Sequence, residues 1–96
     1  WVIYAIPANV RELPAGVAVT AKVPGPAGAL QGVNDFEAIG YRGPCPPPGR
    51  DHHYTFTLYA LGEAVTLEPA ATKAELLEAA EGRILGRTEL TGTFAR

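Results

Sequence analysis

Ninety-six residues make one domain at most, near the small end for a chain that folds alone. Eight Lys+Arg against ten Asp+Glu give a formal net charge of −2 with no basic stripe, which argues against duplex nucleic acid as a partner. An apolar fraction of 47% argues against disorder, and 11 Gly with 9 Pro favour strands and structured loops over helices.

The single cysteine, Cys45, cannot close an intramolecular disulfide, and no thiolate cluster is present to hold a structural metal. Neither a metal nor a cofactor is expected. A reduced, cytoplasmic setting fits, with the periplasm left open. The longest apolar run is too short to span a membrane as a helix. The chain holds no methionine and opens on Trp1, and Trp1 to Ile6 reads at once as a buried strand. The expectation is a C-terminal piece of a longer domain.

That first strand, Trp1 to Ile6, is stopped by Pro7. Residues 7–16 form a connector with two prolines. Val17 to Val23 alternates weakly and predicts a short edge strand. Residues 24–51 read almost entirely as loop, anchored by Leu30, Val33, Phe36, Ile39 and Tyr41 and turned by Asn34-Asp35 and glycines. This loop is expected to be ordered and packed on the sheet.

His52 to Leu61 is the clearest strand, rich in aromatic and β-branched residues. His52, Tyr54, Phe56, Leu58 and Ala60 share one face; His53, Thr55, Thr57, Tyr59 and Leu61 share the other. Residues 62–71 form a turn and an extended segment carrying Val65 and Leu67. Thr72-Lys73-Ala74-Glu75 has the pattern of a capping box. It predicts a helix to about Ala80–Glu81 with Gly82 as C-cap. Leu77, Ala80 and Ile84 would dock it if the last turn continued. Thr88 to Phe94 closes as a strand with Leu90, Gly92 and Phe94 on one face. No internal repeat is visible.

The chemistry concentrates at Tyr41-Arg42-Gly43-Pro44-Cys45-Pro46-Pro47-Pro48-Gly49 and Asp51-His52-His53-Tyr54. Three consecutive prolines lock φ and remove three N–H donors, giving a stiff wall that cannot join a ladder. Beyond it, His52 and Tyr54 at i and i+2 share a strand face. An imidazole and a phenol beside a rigid wall suit a phosphate or carboxylate. Each residue also has a plainer reading. Tyr54 taken alone is a core aromatic, His52 a strand-end histidine and Cys45 a small buried hydrophobe. The prolines alone could be an exposed polyproline ligand. His52 and His53 face opposite ways and cannot chelate one metal together.

Gly40 to Gly49, followed by His52 to Leu61, closely resembles the signature of the bacterial branch of the phosphatidylethanolamine-binding proteins, also called Raf-kinase-inhibitor-like or YbhB/YbcL-type. The resemblance covers essentially the whole chain. Trp1-Val2-Ile3-Tyr4 is similar to the family strand after its His-Trp histidine. Gly32-Val33-Asn34-Asp35-Phe36 is similar to its Gly-x-Asn-Asp-Phe loop. Residues 72–79 and Leu90-Thr91-Gly92-Thr93-Phe94 are similar to its C-terminal helix and strand.

The resemblance implies a mainly β fold: an antiparallel β-sandwich of the phosphatidylethanolamine-binding-protein type with a C-terminal helix. It implies an anion pocket on His52 and Tyr54, with Cys45 and Pro46 in the wall and Gly43 in the supporting loop. His53 falls where the family commonly has arginine and takes no role. The family pocket also uses an Asp-Pro-Asp-x-Pro segment and a histidine before the tryptophan, and this chain begins on that tryptophan.

The expected function is non-enzymatic binding of a small anionic group: phosphate, a phospholipid head group or a phosphopeptide. The alternative is a regulatory inhibitor of a kinase or protease. A hydrolase with His52 as base ranks lowest, since the chain has no serine and Cys45 lies in a stiff loop. A homodimer that covers an open sheet edge would also fit the short chain.

Overall fold

The computed structural model describes residues 1–25 and 28–95, and the chain divides into two compact units. Trp1–Arg42 with Ala64–Glu81 form one; Gly43–Glu63 with Gly82–Arg96 form the other. Pro26 and Ala27 of the predicted loop, and Arg96, lie outside the described residues. The described fold is mainly β, with antiparallel pairing in both sheets and one short helix.

In the first unit, β1 (Ile3–Tyr4) pairs antiparallel with β2 (Leu30–Gln31), Ile3 opposite Gln31 and Tyr4 opposite Leu30. The predicted first strand is thus cut to two residues. Ala5 adopts φ +56, which turns the chain out of the extended conformation two residues before Pro7. The predicted edge strand over Val17 to Val23 does not form; Lys22 alone bridges to Leu30. A side chain intercepts its backbone instead. Gln31 Nε2 donates to the carbonyls of Ala18 (2.7 Å) and Thr20 (2.8 Å).

Gln31 is completely buried and fully engaged. Its Oε1 accepts from Trp1 Nε1–H at 2.8 Å, and its own N–H donates to Ala21 O at 2.8 Å. A buried amide costs little only when its donors and acceptor are all satisfied, and here they are. The adjacent core is built from Val2, Tyr4 and Ala71, with Leu30, Val65, Leu67 and Leu76 packed around it. Tyr4 also has its hydroxyl satisfied, accepting from Ala71 N–H at 3.1 Å and donating to Glu68 O at 2.5 Å.

Helix α1 (Lys73–Ala80) starts as the sequence predicts. Glu75 N–H donates to Thr72 Oγ1 at 3.2 Å, and Thr72 N–H donates to Glu75 Oε1 at 3.0 Å. It ends one turn short of the predicted docking face. Glu81 is the C-cap, with ψ 129, and Gly82 follows at φ +78. Ile84 therefore belongs to the next strand, and Leu77 is exposed. Leu76 packs on the core in its place, with Ala80 buried on the same side of the helix.

The capping box carries a pH signature. The Thr72 backbone N–H, and then its side chain, hold the Glu75 carboxyl below the usual carboxylate range. The stabilisation is therefore present above that range and is lost as pH falls through the lowered value. An NMR titration should give Glu75 a midpoint below the usual carboxylate range, and Thr72→Ala should raise it. The same substitution should cost about 1 kcal/mol in a denaturant melt.

The second unit is a long hairpin-like ladder. β3 (His52–Leu61) has the predicted bounds, and β4 (Ile84–Phe94) begins four residues before the predicted Thr88. The extra residues pair with the end of β3, Arg87 opposite Tyr59 and Gly86 opposite Ala60. Leu85 is the extra residue of a bulge, because Leu61 pairs with Ile84. The ladder sorts the two faces. Phe56 opposite Leu90, Leu58 opposite Thr88 and His52 opposite Phe94 line the apolar face. The other face is polar, with Thr55 and Thr91 hydroxyls 3.1 Å apart. On the apolar side Phe56, Leu58, Leu90 and Phe94 are 47, 62, 71 and 45% exposed, an uncovered stripe rather than a core. Among the described residues, no helix is long and apolar enough to cross a membrane.

Candidate anion-binding site

All five residues singled out in the sequence fall in the second unit. His52 and Tyr54 open β3, both half-buried, and their i, i+2 spacing puts them on the apolar face. Opposite His52 stands Phe94; opposite Tyr54 stands Gly92. A Cβ placed on Gly92 would meet nothing within 4 Å, so the space beside the phenol is open. The ladder thus gives one imidazole and one hydroxyl donor, an apolar wall and a gap. His53, opposite Thr93, lies on the other face.

The supporting loop is less uniform than the sequence implies. Pro46 is buried, whereas Gly43 and Cys45 are exposed. The exposure of Cys45 departs from the buried-hydrophobe reading. The structure therefore brings His52 and Tyr54 onto one surface and keeps Gly43, Cys45 and Pro46 in the same unit. Two features escaped the sequence reading. One is the pairing of the site residues with Phe94 and Gly92, which needs the register of β4. The other is the Arg42 guanidinium, which stacks over the Phe36 ring of the first unit at 4.0 Å from its centroid.

Comparison with known proteins now gives these features a family. Residues 1–95 match the family model described as phosphatidylethanolamine-binding protein. The chain is 46% identical over 96 residues to a UPF0098 protein of Methanothermobacter thermautotrophicus, of which it covers 62%. It is 44% identical to a UPF0098 protein of Pyrococcus abyssi, of which it covers 54%. A solved structure, a phosphatidylethanolamine-binding protein homolog from Chlamydia trachomatis, superimposes with a TM-score of 0.67 at 44% identity. That likeness covers 71% of this chain and 44% of the other. The chain belongs to the phosphatidylethanolamine-binding protein family. It spans between about half and three-fifths of the length of these two curated relatives.

Proposed function

We propose that this chain carries part of a non-enzymatic binding site for a small anionic group, centred on His52 and Tyr54. The observation that supports it most is the shared face at the start of β3, where the phenol stands opposite Gly92 with open space beside it. An anion seated there accepts from the imidazole N–H and the phenol O–H. In this reading the stiff segment around the buried Pro46, which lies in the same unit, forms the wall of the site. Phosphate, alone or on a phospholipid head group, is the ligand chemistry that fits; the sandwich that would enclose it is part of the same proposal.

The test is calorimetry with inorganic phosphate and with phosphoethanolamine on the whole protein and on His52→Ala. Removing a charge-assisted hydrogen bond costs about 1.5–3 kcal/mol, so the variant should bind at least about tenfold more weakly. Equal affinity in both proteins removes His52 from the site.

A further inference from the structure

We infer that the run Pro44-Cys45-Pro46-Pro47-Pro48 is a docking segment for a second protein, one whose domain reads extended proline-rich chain through an aromatic-lined groove. The backbone of the run is dictated by covalent chemistry. Each proline holds φ near about −65°. The residue before a proline is pushed to an extended ψ, and here that constraint falls on Gly43, Cys45, Pro46 and Pro47. Together the two constraints define the polyproline II conformation. In agreement, residues 41–47 are neither helix nor strand. A bend starts only at Pro48, ahead of Gly49 at φ +128.

Exposure along the run follows the same geometry. Polyproline II repeats every three residues, which puts Pro44 and Pro47 on one edge, Cys45 and Pro48 on a second, and Pro46 alone on the third. Pro46 is buried, Pro44 is half-buried, and Cys45, Pro47 and Pro48 are exposed. A strand-like alternation would bury Pro48 along with Pro46, and Pro48 is exposed. One edge therefore anchors the run to the protein while the other two face outward.

Two outward edges with a Pro44-x-x-Pro47 spacing are what an aromatic-lined groove engages. The prolines have no N–H, so the carbonyls of the run accept from donors on the partner, such as an indole N–H or a phenol O–H. Locked φ angles and a buried anchor leave little freedom to lose on docking, which lowers the ordering cost of association. The inference uses neither His52 nor Tyr54 and stands apart from the anion reading.

A panel of isolated SH3, WW and EVH1 domains, which carry such grooves, is the probe. Each is titrated into the whole protein, followed by NMR at the Cys45, Gly49 and Arg50 amides and by calorimetry. At least one should give saturable shifts there. Pro47→Ala should weaken that binding about tenfold at unchanged melting temperature, as truncation of an anchor at a hot spot does. A free peptide of residues 43–50 should compete for the same domain. His52→Ala should bind it as the wild type does, which separates this surface from the site on β3. Absence of binding by every domain of the panel overturns the inference. So does wild-type affinity in Pro47→Ala, or a loss of affinity matched by a fall in melting temperature, which would make the prolines structural only.

Discussion

Gly32→Ala should be among the most damaging single substitutions in the first unit. Gly32 is buried between β1 and the segment that leads into α1. Its N–H donates to Val2 O at 2.8 Å, and the next residue, Val33, donates to Ala71 O at 2.8 Å. A Cβ at this position would run into the Ala71 carbonyl oxygen and lie 2.9 Å from Val2 Cγ1. Backbone oxygen cannot rotate away as a flexible side chain can, so the two segments must part and both hydrogen bonds weaken. Overpacking of this kind costs about 3 kcal/mol. In a domain of this family's size that is a drop in melting temperature of roughly 10 °C. Gly25 is the control, since a Cβ there meets nothing and its φ is ordinary. Gly25→Ala should change stability by less than about 0.5 kcal/mol. Equal melts for the two variants would show that the Gly32 approach is not a constraint.

The second large effect is association. The 96-residue chain on its own should form oligomers or aggregates at micromolar concentration. Phe56, Leu58, Leu90 and Phe94 line one face of β3–β4 and remain about half or more exposed. Covering what is left open on four such side chains is worth on the order of 5 kcal/mol. The outer edges of β3 and β4 add rows of ladder groups that invite pairing with another strand. A tidy dimer through this face would count as the same outcome. Light scattering should show a mass above that of the monomer, and Leu58→Lys combined with Leu90→Lys should lower it. A monomer with a sharp cooperative melt would contradict this reading of the uncovered face.

Much of the second unit was legible in the sequence because its signals are local and periodic. The alternation over His52 to Leu61 fixed both the strand and its two faces, and the ladder places Leu90, Gly92 and Phe94 together as expected. The capping box was equally legible, since its two hydrogen bonds join residues three apart. The first unit was harder to read because distant contacts override local pattern there. The strand at Trp1 ends early through a left-handed Ala5, which no propensity signals. The Val17 to Val23 segment alternates like a strand but gives two carbonyls to Gln31, a side chain 11 and 13 residues away. The helix face was misjudged by one position, Leu76 for Leu77, because its end depends on Glu81 and not on Gly82. At the site, the i, i+2 relation of His52 and Tyr54 came from spacing. The exposure of Cys45 and the burial of Pro46 did not, because a proline-rich loop carries no periodicity.

The two adjacent histidines serve as probe and control for anion binding on β3. His52 stands on the face that carries Tyr54, and His53 stands on the opposite face across from Thr93. Phosphate or phosphoethanolamine should be titrated into the whole protein at constant pH while the ring resonances of both histidines and of Tyr54 are followed. Saturable shifts are expected at His52 and Tyr54 with one common affinity, with little change at His53. Shifts of equal size at both histidines, or none at His52 and Tyr54 up to tens of millimolar ligand, would contradict anion binding on this face.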